Sequence, residues 1–277
     1  MAVCLPPGLD RLAWMEVRVG LVKAEELFRG VGVALVTIFS RSGEADPAAT
    51  AKHAADLVSR GMRAVLVAGT TGEAGTLTQQ ERTALIEAVR AAIPAEIPVL
   101  AGTGAATAET AVSLTAAAAR AGADAILAYP PPGSAGLPDF YAAVGNAAAG
   151  LAVLAYHVPW ISAPGVPVDE LAGLPVAGIK DSSGSPDRLL DELAHYKGST
   201  YVGSSAVLAL AGPMGGAGAI LALANVEPEA CCRAFAGDAA AQRGLADVHL
   251  EVREGGPAAL KRILGGRSGF CDVSRVP

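Results

Sequence analysis

Aromatic residues, histidines, cysteines and clustered charge are all scarce in this chain, and each shortage removes a class of function. The four cysteines (Cys4, Cys231, Cys232 and Cys271) show no paired framework and no CxxC spacing. A disulfide-stapled fold is therefore not expected, and a reducing, cytoplasmic setting is the simplest reading. His53, His157, His195 and His249 are scattered, without an HxH or HExxH arrangement. The spacing of a protein-bound catalytic metal is missing, so neither a metal nor another cofactor is expected. Lys and Arg number 21 against 27 Asp and Glu, a formal charge of −6, with no basic block. That balance argues against nucleic acid or an anionic membrane as a partner. No secretory leader is evident, since Asp10 and Arg11 interrupt any apolar core near the start. The 19 residues from Ala206 to Ala224 carry no charge, but they include Gly212, Pro213, Gly215, Gly216 and Gly218. They read as helix, turn and strand, not as a membrane span.

Alanine and glycine are plentiful instead. The chain has 33 glycines and 52% hydrophobic residues against 4% aromatics. Small residues in such numbers suit helices packed tightly on a parallel sheet better than an antiparallel sandwich. The 277 residues accommodate one barrel of ~250 residues. Residues 1–27 read as an N-terminal extension, or as an over-long start with Met15 as initiator, and carry no assigned chemistry. Apolar runs of strand length then recur at 31–39, 64–68, 98–101, 125–129, 151–156, 176–180, 201–203 and 217–223. Helical patterns separate them. The first, from Pro47 to Arg60, has Asp46 as N-cap and Pro47 in its first turn. Thr78 with Glu81 forms a capping-box signature for the second, and the third covers roughly 107–121. Eight alternating units predict an α/β fold, a (β/α)8 TIM barrel over 28–224, with 225–277 as a short C-terminal helical extension. In such a barrel the site lies at the C-terminal ends of the strands.

The run Val176-Ala177-Gly178-Ile179-Lys180-Asp181 ends abruptly in a lysine. A lysine leaving the core at a barrel mouth is partly desolvated, which favours a neutral, nucleophilic amine able to form a Schiff base with a carbonyl. A solvent-facing lysine after a strand is the plain alternative. The neighbours count against it: Thr70, Thr71, Thr103, Tyr129, Tyr156, Ser182, Gly203 and Ser204 all fall at or just past strand C-termini and are expected to face one mouth. Glu73 reads as structural, accepting bonds from its own loop.

Four ordered segments carry a resemblance: Gly69-Thr70-Thr71-Gly72-Glu73, Ala101-Gly102-Thr103-Gly104, Tyr156-His157-Val158-Pro159 and Gly178-Ile179-Lys180-Asp181. Together, over about residues 28–264, they resemble the dihydrodipicolinate synthase/N-acetylneuraminate lyase family. The resemblance implies metal-free class I aldolase or lyase chemistry, in which a lysine forms an imine with pyruvate or another 2-keto acid. It implies Lys180 as the Schiff-base lysine and Tyr156 as the proton shuttle, with one threonine hydroxyl of Thr70 and Thr71 linked to Tyr156. It further implies that Gly69, Thr70 and Thr71 hold the keto acid's carboxylate through backbone N–H groups. Ser182, Gly203, Ser204, Ile161 and Tyr129 complete the expected substrate-binding set, and a homo-oligomer (dimer or tetramer) is the expected assembly.

Three departures from the family pattern bear on substrate. The position five residues after Tyr156, usually an arginine in the synthases, is Ile161. The tyrosine usually present after strand four, which reaches a neighbouring subunit's relay, is replaced in the run Tyr129-Pro130-Pro131-Pro132. The C-terminal part is shorter than the family norm, which bears on the usual tetramer. Three readings follow. The first is a lyase or aldolase acting on pyruvate or a hydroxylated 2-keto acid: a 2-keto-3-deoxy sugar acid, 4-hydroxy-2-oxoglutarate or a sialic-acid-like compound. The second is 4-hydroxy-tetrahydrodipicolinate synthase, joining pyruvate to aspartate semialdehyde. The third is a catalytically silent keto-acid-binding protein.

Overall fold

Eight short parallel strands close into a barrel in chain order, β1 pairing with both β2 and β8. The computed structural model describes residues 26–133 and 136–276. Most of the expected N-terminal extension, with Met15, lies outside the described residues. The strands are β1 (Gly30–Ala34), β2 (Val65–Val67), β3 (Val99–Gly102), β4 (Ala125–Ala128), β5 (Ala152–His157), β6 (Gly178–Asp181), β7 (Ser199–Val202) and β8 (Gly218–Leu221). Between them run α1 (Pro47–Ser59), α2 (Gln79–Ala92), α3 (Ala108–Arg120), α4 (Leu137–Ala147), α5 (Val168–Leu171), α6 (Pro186–His195) and α7 (Leu208–Ala211). The TIM-barrel expectation holds. So does the helical extension: α8 (Pro228–Phe235), α9 (Ala239–Gly244) and α10 (Ala246–Ser268) follow the barrel.

Strands covered on both faces read as continuous apolar runs because each face has its own packing partner. Leu66, Leu100, Leu127, Leu154 and Ile220 fill the barrel interior, which Phe28 and Tyr201 line as a stacked pair with ring centroids 4.6 Å apart. Residues of the opposite parity, among them Val65, Val99, Ile126, Val153, Ile179 and Val202, form the second layer against the helices. The first strand is shorter than its apolar run. Leu35 N still donates to Leu66 O (2.9 Å), but beyond it the N–H groups turn to side chains: Asn225 Oδ1 accepts from Val36 N (3.1 Å) and Thr50 Oγ1 from Ile38 N (3.0 Å).

Helix starts follow the local signals. Asp46 accepts from Ala49 N (2.9 Å) ahead of Pro47. Glu81 N donates to Thr78 Oγ1 (3.2 Å) while Glu81 Oε2 accepts from Thr78 N (2.8 Å), completing the capping box. The uncharged 206–224 stretch divides into α7 and β8 as expected. Among the described residues, no helix is long and apolar enough to cross a membrane.

Candidate active site

Lys180 and Tyr156 are brought together by register. The two residues are paired across β5 and β6, and both point into the barrel. The Lys180 ammonium lies 4.6 Å from the centroid of the Tyr156 ring. Lys180 is only 4% exposed, Tyr156 only 7%. Among the described residues no carboxylate lies within ion-pair distance of Lys180. Its neighbour Asp181 points the other way, accepting from Ser183 N and Ser183 Oγ (both 2.8 Å). Gly203 sets the space available to the lysine: a Cβ there would stand 2.9 Å from Lys180 Cε and 2.0 Å from Ser182 Oγ. Only glycine lets β7 end this close to both side chains.

Two adjoining cavities open at this end of the barrel. The larger, about 540 Å³, is lined by Thr70, Thr71, Tyr156, Lys180, Ser182, Gly203 and Ser204, and its outer rim carries Trp160, His249 and Arg253. The smaller, about 250 Å³, is lined by Gly69, Thr70, Tyr129, Tyr156, Ile161 and Val276. Every residue expected to bind substrate lines one cavity or the other, and Thr70 and Tyr156 line both. Tyr129 approaches Tyr156 with ring centroids 6.2 Å apart and rests on Gly104, where a Cβ would meet its ring at 2.3 Å. Burial pushes the Tyr129 phenol above its ordinary pKa, opposed by nearby Arg82.

Three expectations need correction. Thr103 does not face the mouth. It follows Gly102 at the end of β3, strand alternation turns it outward, and its hydroxyl accepts from Thr115 of α3 (2.9 Å). The hydroxyl that reaches Tyr156 is Ser182 Oγ (3.4 Å), not a threonine, because Ser182 stands just past the lysine on the neighbouring strand. Glu73 is structural, but its carboxylate serves the C-terminal segment and not its own loop. Only its carbonyl accepts locally, from Thr76 Oγ1 (2.9 Å). The carboxylate pairs with Lys261 of α10, both side chains fully buried, and accepts from Ser274 Oγ (3.0 Å), Arg275 N (2.6 Å) and Val276 N (3.0 Å).

The turn carrying Thr70 and Thr71 is accordingly braced from several elements. Thr37 Oγ1 donates to Gly72 O (2.7 Å), and the buried Arg82 donates to Gly102 O (3.1 Å) and Ala74 O (2.5 Å). Sequence patterns gave no sign of Arg82, Lys261, Val276, His249 or Arg253 at this site. Arg82 reads as one charge on an amphipathic helix, and the other four stand far along the chain. His249 donates to or accepts from Ser205 Oγ (2.7 Å), and burial, with Arg253 nearby, lowers its pKa. Among the described residues, no group of three or more His, Cys, Asp or Glu side chains is close enough to hold a metal ion.

Residues 27–252 match the model of the Dihydrodipicolinate synthetase family. A 4-hydroxy-tetrahydrodipicolinate synthase of Methylobacterium radiotolerans is 33% identical over 269 residues, 90% of this chain and 89% of the relative. Its counterpart in Salinibacter ruber is 34% identical over 221 residues, 76% of this chain and 73% of the relative. The crystal structure of a chloride-inhibited dihydrodipicolinate synthase from Acinetobacter baumannii, complexed with pyruvate, superimposes with a TM-score of 0.82 at 27% identity. It covers 91% of this chain and 92% of its own.

Proposed function

The chain belongs to the dihydrodipicolinate synthetase family, and from that membership we propose a lysine-imine lyase or aldolase that handles pyruvate and a hydroxylated 2-keto acid. As members of this family are, it is a class I carbon–carbon lyase. The observation that carries the assignment of roles is the buried Lys180, level with Tyr156, with no carboxylate to tie it down.

In the condensing direction the Lys180 amine adds to the C2 carbonyl of pyruvate, and loss of water leaves an imine. A proton leaves C3 to give the enamine, whose carbon attacks an aldehyde carbonyl. The C–C bond forms, the aldehyde oxygen takes a proton relayed through Tyr156, and water then releases the product from the lysine. Cleavage runs the same steps backwards. Ser182 steadies the Tyr156 phenol, and Thr70 and Thr71 hold the keto acid's carboxylate through backbone N–H groups at the start of their turn. Tyr129 stands beside Tyr156 where the family's usual relay tyrosine is missing. Ile161 makes one wall of the smaller cavity apolar, which suits an acceptor without a carboxylate at that point. The free thiols of Cys231, Cys232 and Cys271 are in keeping with a cytoplasmic setting, and a homo-oligomer is the assembly we expect.

A second reading, 4-hydroxy-tetrahydrodipicolinate synthase, has in its favour the names of the relatives above. Both readings require the imine. Borohydride reduction in the presence of pyruvate should add one reduced adduct to the intact protein, located on Lys180, and Lys180→Arg should abolish it, because a guanidinium stays protonated. Label on another lysine would take the imine role from Lys180, and none with any 2-keto acid would sink the enzyme assignment and leave a silent binding protein. Turnover of aspartate semialdehyde at the rate of hydroxylated 2-keto acids would move the assignment to the synthase.

A further inference from the structure

The smaller cavity is closed on one side by a segment that no barrel loop supplies. After α10 the chain runs back over the mouth, and Val276 takes its place in the cavity wall beside Tyr129 and Ile161. The path of this segment is fixed by many contacts. Lys261 Nζ donates to Val273 O (2.9 Å) and lies 3.9 Å from the Phe39 ring centroid. The Arg275 guanidinium also covers Phe39, at 4.4 Å, and donates to Gly43 O (2.8 Å), Thr76 O (3.0 Å) and Glu81 Oε1 (2.5 Å). Glu73 accepts from three successive residues, 274 to 276. The loop after β1, the loop after β2 and the start of α2 thus all hold the strap in one position.

Tyr156 lines both cavities, whereas Lys180 lines only the larger one. If the keto acid is bonded to Lys180 and the proton passes through Tyr156, the bond being made or broken lies at the junction. The aldehyde half then extends into the smaller cavity. Resting on the lyase reading above, we propose that Val276, held in place by the strap of residues 273–276, forms the outer wall of the acceptor subsite and sets its length. The wall defines a substrate class. Apart from the Glu73 carboxylate, which Lys261 and the strap occupy, the cavity presents no charged side chain. Thr70, Tyr129 and Tyr156 offer hydroxyls, and Leu127, Ile161 and Val276 offer apolar surface. At about 250 Å³ the cavity has less than half the volume of its neighbour, about 540 Å³. The acceptor it suits is a short, uncharged hydroxyaldehyde.

The test is condensation of pyruvate with glyceraldehyde and with a six-carbon hydroxyaldehyde, using the full chain and two variants. Val276→Trp should raise KM for glyceraldehyde by at least roughly tenfold while KM for pyruvate stays put, the size of effect that lost pocket space produces. Val276→Gly should raise kcat/KM for the six-carbon aldehyde relative to glyceraldehyde by roughly tenfold. Borohydride trapping of pyruvate on Lys180 is run in parallel on each protein. Trapping present with aldehyde KM values unchanged in both variants would overturn the strap and place the acceptor on the Arg253 side of the larger cavity. Absence of trapping in the wild type would overturn the lyase reading, and the acceptor subsite with it.

Discussion

At the scale of single residues, Ile161 is the position on which the choice of acceptor turns. Its main chain sits in a turn (Ile161 N donates to Val158 O, 2.9 Å), half-buried against the barrel interior, with its side chain on the smaller cavity. An arginine there could hold a carboxylate through two parallel charge-assisted bonds, an interaction of ~1.5–3 kcal/mol. Ile161→Arg should therefore raise kcat/KM for aspartate semialdehyde relative to glyceraldehyde by roughly 10- to 150-fold, measured in paired condensation assays with pyruvate. No change in that ratio would mean the isoleucine does not face the acceptor. Lys180 and Tyr156 were legible from sequence because each sits in a strand that fixes its direction; Ile161, in a turn past β5, was legible only through its spacing from Tyr156 in the family pattern. Thr103 was misplaced for the converse reason. A single residue past Gly102 reverses the face of the strand, and nothing in the local run marks where alternation begins.

At the scale of elements, the barrel strands and capped helices were readable because their signals are local: apolar runs, Asp46-Pro47, and Thr78 with Glu81. The brace between α10 and the active-site turn was not, since Glu73 and Lys261 lie 188 residues apart. α10 also breaks at Gly256 (φ +55°), ahead of Pro257, and Lys261 lies on the part of the helix that follows the break. Burial lowers the Lys261 pKa, and Glu73 opposes this only in part. Removing one member strands the other charge in a dry site. Lys261→Met should cost about 3–5 kcal/mol, whereas adding Glu73→Gln should recover part of that loss. Denaturant midpoints for the two variants supply the check. If Lys261→Met unfolds at the wild-type midpoint, the pair is not the clamp its geometry implies.

At the scale of the whole molecule, a second buried ionisable cluster lies behind the strands that carry Lys180 and Tyr156, and it makes stability depend on pH. His157 faces outward from β5, accepts from Val166 N (3.0 Å), and is held at a pKa of about 4 by burial and then by the Arg188 charge, with Asp181 opposing. Glu192 of α6 is fully buried. Burial, and then the Asp181 charge, pushes its pKa up to about 8 despite Arg188. Arg188 Nη2 stands 2.9 Å from Glu192 Oε1, but its hydrogen bond goes to Val166 O (2.7 Å), so neither carboxylate oxygen receives one. The two shifts act in opposite senses. Between pH 4 and 6.5 the unfolded chain binds the His157 proton more tightly than the folded protein, so this group's contribution to stability rises with pH. Between pH 4.5 and 8 the folded protein binds the Glu192 proton more tightly, so that contribution falls. Within this pair the two nearly cancel up to about pH 6.5, where the histidine effect is complete, and from there to pH 8 the glutamate slope is left unopposed. That slope is at most about 1.4 kcal/mol per pH unit, worth about 2–4 °C per kcal/mol in a protein of this size. Tm should fall by several degrees from pH 6.5 to 8 in the wild type, and Glu192→Gln, which has no proton to lose, should remove the fall. A wild-type Tm that stays level or rises over that interval would show that Glu192 is already ionised in the folded protein.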